Sequence, residues 1–261
     1  MNLQLQGKRA LVTGSTAGIG FAIAASLVAE GATVIVNGRT ESGVQSAVRR
    51  LEADGKVSGI AADVATQDGV NRVVQLLPDV DILVNNMGIF DPKPFDDIPD
   101  EDWFRFFETN VMSGVRLSRA YLAGMKARNW GRVIFISSES GICPPAEMVH
   151  YGMTKSAQLS VSRGLAETCA GTAVTVNSVL PGPTLTEGAK TFFETLAAQQ
   201  GIGFEEATKK FFAEARPTSL IQRFAKPEEV ASLVTYLCSP LAAATTGAAL
   251  RVDGGVVRSL V

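Results

Sequence analysis

Short runs of β-branched and aliphatic residues alternate along the chain with longer segments whose apolar positions recur every three to four residues. The runs RALVTG, ATVIVNG, VSGIAAD and VDILVNN read as strands, and FAIAASLVAE, ESGVQSAVRRLEAD and TQDGVNRVVQLL as the helices between them. The rhythm continues with a long helix expected over about 100–128, a strand at GRVIFIS, a helix containing Tyr151, and strands at AVTVNSVL and AALRVDGG. Such alternation predicts an α/β chain, one domain over 1–261, built on a doubly wound parallel sheet of about seven strands with helices on both faces.

One stretch breaks the rhythm. Between LPGPTLTEG and AKPEEVASLVTYL, at 184–226, lie helical and partly apolar patches such as TFFETLAA and ATKKFFAEA. An insertion of this size beyond a strand's carboxyl end, where open α/β sheets bind ligands, is expected to be a substrate-binding lid, the alternative being an extra packed helix pair.

Composition narrows the function. Of the 261 residues 46% are hydrophobic, enough for a large core, and the formal net charge is −2. That balance provides no basic field for nucleic acid and points to small-molecule partners. The beginning MNLQLQGKRALVTG has no long apolar stretch, and no apolar run is long enough to span a bilayer, so a cytoplasmic protein is expected. Cys143, Cys169 and Cys238 lack metal or redox spacing and are expected to be reduced core thiols; with a single histidine, His150, no metal site is expected.

The candidate chemistry sits at strand ends. VTGSTAGIG follows the first strand and opens a helix, so Gly14, Gly18 and Gly20 allow the backbone to approach a pyrophosphate at a helix N-terminus. After the second strand the chain reads VNGRTE, with no carboxylate to accept from a free ribose 2′-hydroxyl. Arg39 could instead bind a 2′-phosphate, which favours NADP(H) and leaves NAD(H) possible, the alternative being a solvated arginine. Tyr151 and Lys155 stand four apart on one helix and so share a face. An ammonium about 4 Å from a phenolate is worth about 4 kcal/mol at an effective dielectric of 20, which would bring tyrosine toward neutral pH. Thirteen residues before Tyr151, VIFISSESG ends a strand with Ser137 and Ser138.

TGSTAGIG, NNMG from Asn85 to Gly88, Asn110 in ETNVMSG, Ser138, YGMTK and LPGPTLT occur in the order and spacing of the short-chain dehydrogenase/reductases, and the resemblance covers practically the whole chain. The resemblance implies a Rossmann fold and hydride transfer between a nicotinamide and a carbonyl or secondary alcohol. In it Tyr151 carries the proton, Ser138 bonds the substrate oxygen, Lys155 holds the nicotinamide ribose, and Asn110 holds a water leading from Lys155 to solvent. It further assigns Ser15 and Ile19 to the phosphate turn, Asp63 with Val64 to the adenine, and Asn85 and Gly88 to the cofactor's ribose side. Pro181 and Gly182 shape a loop from which Thr186 reaches the carboxamide or pyrophosphate.

A homotetramer (or homodimer) is also implied, built on the long helix, the Tyr151 helix and the last strand. The sequence departs from the family at Met87, which could press on the cofactor or pocket wall, and at His150, a substrate contact or else a helix-start or surface residue. The lid is also long, with Phe192, Phe193, Phe211 and Phe212 either lining a pocket or packing on the domain. Reduction of a 3-oxoacyl group on a carrier protein is one alternative. It is lowered because CAGTAV lacks the basic residue that would dock the carrier, although Lys126 and Arg128 remain. A non-catalytic NADP(H)-sensing protein is the alternative from another class.

Overall fold

The computed structural model describes residues 2–260. Its sheet comprises β1 (Arg9–Val12), β2 (Thr33–Gly38), β3 (Val57–Ala61), β4 (Ile82–Asn85), β5 (Gly131–Ile136), β6 (Val174–Pro181) and β7 (Ala249–Val252). All neighbours pair in parallel, in the order β3-β2-β1-β4-β5-β6-β7, so the order reverses between β1 and β4 and opens a crevice at their carboxyl ends. The helices α1 (Gly18–Ala29), α2 (Glu41–Leu51) and α3 (Gln67–Leu76) form the first crossovers. Thr40 and Thr66 start α2 and α3 by accepting from Gly43 N and Gly69 N.

The alternation of strand side chains sorts the core into two layers. Ala10, Val12, Val34 and Val36 face α1 and α9 (Pro227–Cys238), packing with Ile23, Leu27, Val230 and Leu237. Leu11, Ile35 and Leu83 face the other way, onto Val70, Leu117, Tyr121 and Met125. Cys169 and Cys238 are buried as expected, but Cys143 is exposed, because it falls in the loop ahead of the Tyr151 helix rather than on a core face.

The long helix expected over 100–128 is interrupted. It runs as α4 (Asp100–Phe107), a π-helical turn (Glu108–Met112) and α5 (Ser113–Ala127), and the widened turn carries Asn110. Such turns displace one residue from the regular ladder and are frequent at functional sites. After β5 comes α6 (Val149–Glu167), which carries Tyr151 and Lys155.

The 184–226 stretch folds as α7 (Glu187–Gln200) and α8 (Phe204–Glu214), joined through Gly201 in the left-handed conformation (φ 66°). It has a small core of its own, where Phe193, Phe212 and Phe224 meet edge to face at 4.9–5.1 Å, with Phe211 and Leu196 against them. Phe212→Ala is therefore expected to cost about 3–5 kcal/mol within this unit. Hydrogen exchange should show faster amides in α7 and α8 while those of β1 and β4–β6 are unchanged.

Candidate active site

The crevice is built from the first strand outward. Gly14 and Gly18 have positive φ (58° and 57°), and a Cβ on Gly20 would lie 2.4 Å from Asn86 Nδ2 and 2.5 Å from the Gly14 carbonyl, so this contact needs glycine. Asn86 Nδ2 donates to the Thr13 and Gly14 carbonyls, and Thr13 Oγ1 accepts from the Asn86 and Met87 amides. Ser15 is buried, its hydroxyl spent on the Val12 carbonyl and the Asn37 amide, while Ile19 lines the cavity. Asn37 holds the Ile60 and Ala62 carbonyls, and Arg39, just beyond β2, is exposed without a protein partner among the described residues.

The structure divides the remaining cofactor candidates. Asp63 is half-buried and Oδ1 accepts from the Ala65 amide, the turn-capping role; Val64 is buried in the core, leaving only its backbone for a ligand. Asn85 points into the interior, with Nδ2 on Ser118, so it is the neighbouring Asn86, missed in the sequence, whose side chain faces the glycine turn. Met87 packs into the second core layer and does not line the cavity. Gly88, Pro181, Gly182 and Thr186 do line it, and Thr186 also starts α7 by accepting from the Ala189 amide.

At the glycine turn the chain supplies its own anion: the Gly18 amide, the first of α1, donates to Glu187 Oε2 at 3.0 Å. A carboxylate seated on a helix N-terminus is the same chemistry as a pyrophosphate oxygen seated there, so the turn fits a dinucleotide, and Glu187 competes for it.

The reactive end of the cavity, about 500 Å³ in volume, holds Ser138, Tyr151 and Lys155. Ser138 is buried and donates to Glu139 Oε2; Lys155 Nζ lies 5.4 Å from the Tyr151 ring centre and donates to the Ile136 carbonyl at 3.0 Å. Ser137 also lines the cavity, with its hydroxyl donating to the Lys155 carbonyl. Asn110 spends its amide on both backbone groups of Ile89 and on Thr154, and its carbonyl accepts from Gln158 Nε2 at 2.6 Å.

Desolvation governs the electrostatics. Burial pulls Lys155 down to about 8. It pushes the Tyr151 phenol above its ordinary range, against the Ser138 hydrogen bond. The depression of Tyr151 by Lys155 expected from their spacing is thus absent from the chain alone: Lys155 is turned to Ile136, and both groups are too buried for their attraction to prevail.

His150 is the helix-start residue of the two readings, second in α6, and does not line the cavity. It is fully buried, 4.1 Å from the Phe106 ring and 6.0 Å from Trp103, with no hydrogen bond to either ring nitrogen, and burial lowers its pKa.

A seven-stranded parallel sheet with a phosphate turn at its switch point and a serine, tyrosine and lysine at one cavity defines a dinucleotide-binding oxidoreductase site. The family model described as short chain dehydrogenase matches residues 8–197, and the chain belongs to the short-chain dehydrogenase/reductase family, enzymes acting on CH–OH and C=O groups. The uncharacterized oxidoreductase YvaG of Bacillus subtilis is 55% identical over the full length of both chains. The 3-oxoacyl-[acyl-carrier-protein] reductase FabG of Vibrio cholerae is 37% identical, over 97% of this chain and 99% of its own. The solved L-sorbose reductase of Gluconobacter frateurii, complexed with NADPH and L-sorbose, superposes with a TM-score of 0.94 at 33% identity, covering all of both chains.

Two outcomes follow from these electrostatics. Lys155 titrates near 8 folded and 10.5 unfolded, so the unfolded chain binds more protons between those values and stability rises with pH across that window. Lys155→Met should thus be the more stable protein at pH 7, by on the order of 2 kcal/mol, with the advantage shrinking between about pH 8 and 10.5 in urea melts. Glu187→Gln removes the competing carboxylate and should tighten NADPH binding about two- to fivefold by calorimetric titration, more at low ionic strength.

Proposed function

We propose that this enzyme transfers hydride between NADP(H) and a carbonyl or secondary alcohol, with Tyr151 as the proton carrier. The observation that carries the reading is that Ser138, Tyr151 and Lys155 share one cavity that continues to the glycine turn. The bound nicotinamide supplies or accepts the hydride. Tyr151 passes a proton to or from the substrate oxygen, which Ser138 bonds as charge develops. Lys155, buried on the same helix face, is placed to exchange its Ile136 carbonyl for ribose hydroxyls, and Asn110 fixes Ile89 and Thr154 around it. Arg39, uncommitted at the end of β2 where no carboxylate stands, supports NADP(H) over NAD(H), as does the NADPH in the L-sorbose reductase structure.

Carrier-protein substrates are less well supported. Lys126 and Arg128, the remaining anchors, already donate to the Thr168 and Val80 carbonyls. The retained serine, tyrosine and lysine speak against a purely sensing role. Among the described residues no helix is long and apolar enough to cross a membrane. A homotetramer is part of the proposal: Phe104 on α4 and Leu220 beyond α8 are 72% and 83% exposed, apolar surface that a subunit contact would cover. Gel filtration at the mass of one chain would refute it.

NADPH is expected to bind at least about tenfold more tightly than NADH, and Arg39→Ala to cost NADPH about tenfold more than it costs NADH. A preference for NADH would refute the Arg39 role. Tyr151→Phe should keep NADPH affinity within about twofold while kcat for any reduced ketone falls about 10²–10⁴-fold; undiminished turnover would rule out the acid/base role.

A further inference from the structure

Beside the reacting serine stands a residue that the family chemistry does not require. Glu139 is 5% exposed and lines the cavity, with Oε2 accepting from Ser138 Oγ at 2.5 Å and from Ser140 Oγ at 2.6 Å. Its other oxygen accepts from Arg216 Nε at 3.1 Å, and Arg216 arrives from the chain just beyond α8. Arg216 Nη1 reaches Glu147 Oε1 at 3.3 Å and the Ala215 carbonyl, while Nη2 has no partner among the described residues. The rest of this wall is apolar, formed by residues such as Phe90, Pro92, Phe192 and Phe211.

A buried carboxylate and guanidinium in an apolar wall are costly unless their hydrogen bonds are filled, and each retains capacity toward the cavity. Resting on the assignment of Ser138 to the reacting oxygen, we propose that Glu139 and Arg216 are the specificity-determining pair and select a neutral substrate with a hydroxyl on the carbon next to the reacting one. The spacing supports this. Oxygens on adjacent carbons in a gauche arrangement lie about 2.8 Å apart, the separation of two hydrogen-bonded oxygens, and Ser138 Oγ and Glu139 Oε2 are set 2.5 Å apart. A substrate oxygen that takes the Ser138 hydroxyl hydrogen frees a lone pair on Glu139 Oε2, and its neighbouring hydroxyl donates there in place of Ser138, with Arg216 Nη2 turned to that hydroxyl's oxygen.

Charge supports it as well. Glu139, Glu147 and Arg216, which bond to one another, sum to one negative charge, and the Lys155 ammonium that balances it is held on the Ile136 carbonyl. A keto acid would bring a second anion to that wall, whereas a ketose, hydroxyketone or vicinal diol would not.

The test is NADPH-dependent reduction of hydroxyacetone, acetone and pyruvate by the full-length enzyme. Hydroxyacetone should exceed acetone in kcat/KM by about 10–100-fold, the worth of a hydrogen bond to a charged group, with pyruvate the poorest. Glu139→Gln should cut the hydroxyacetone-to-acetone ratio at least about fivefold, and because the reading is a ratio, a general loss of activity cancels. Glu147→Gln, at a half-exposed rim position, should raise pyruvate relative to acetone several-fold. If acetone and hydroxyacetone are reduced equally, or Glu139→Gln leaves their ratio intact, the pair's role is overturned while the hydride-transfer reading stands. If NADPH binds and no ketone is reduced, the reading of the site falls and the pair's role falls with it.

Discussion

The structure turns on one hydrogen-bonded knot at the switch point of the sheet. Where β1 and β4 end, the backbone must leave the ladder in two directions without stranding its amides and carbonyls. Thr13 and Asn86 resolve this between them: the threonine hydroxyl takes two amides of the chain leaving β4, and the asparagine amide takes two carbonyls of the chain leaving β1. The knot leaves no room for a side chain at Gly20, so α1 starts close against the end of β4. The phosphate turn, the cavity floor at Gly88 and the placement of Asn110 against Ile89 all follow from that junction.

The second organising fact is that Tyr151, partly exposed to the cavity, and Lys155, buried, are both desolvated before any ligand is considered. Burial works on Tyr151 and Lys155 in opposite directions, pushing the phenol up and the ammonium down to about 8, so each favours its neutral form. Neighbouring charges act on the phenol unequally, Glu139 raising it and Arg216 lowering it. The site is consequently sensitive to the polar partners brought to it. Glu139 contributes both to the electrostatics of the phenol and to the single hydroxyl hydrogen of Ser138.

Most of the architecture was legible because it rests on local pattern. Seven aliphatic runs with breakers between them become seven strands, and the glycine turn lies where strand meets helix. Ser138, Tyr151 and Lys155 could be placed on one cavity because a strand end and a helix face fix them. What sequence could not show depends on contacts between distant segments. His150 sits beside Tyr151 in sequence, yet its environment is made by Trp103 and Phe106, and nothing in HYGMTK signals their approach. The choice between Asn85 and Asn86 was a question of which one faces in, decided by the alternation of a strand that ends at Asn85. The π-helical turn at Asn110 has no composition signal at all, and Cys143 escaped the burial habit of its type by falling in a loop.

The same distinction explains the 184–226 unit, whose two kinds of contact differ in what can replace them. Internally it is held by phenylalanines that nothing in solution could substitute. To the rest of the chain it is tied by backbone and hydroxyl bonds, from Leu220 and Ile221 to Gly254 and from Thr218 to Val256, and by two charged ties: Glu187 on the Gly18 amide at one end, and Arg216 on Glu139 and Glu147 at the other. The first charged tie ends at the glycine turn and the second at the cavity, which Arg216, Glu139 and Glu147 line. Ligand oxygens can take over such bonds nearly one for one, so exchanging them costs far less than opening the aromatic core. The unit's integrity and its attachment are therefore set by separate interactions, and the attachment is written in the same chemistry that the cavity uses to recognise its ligands.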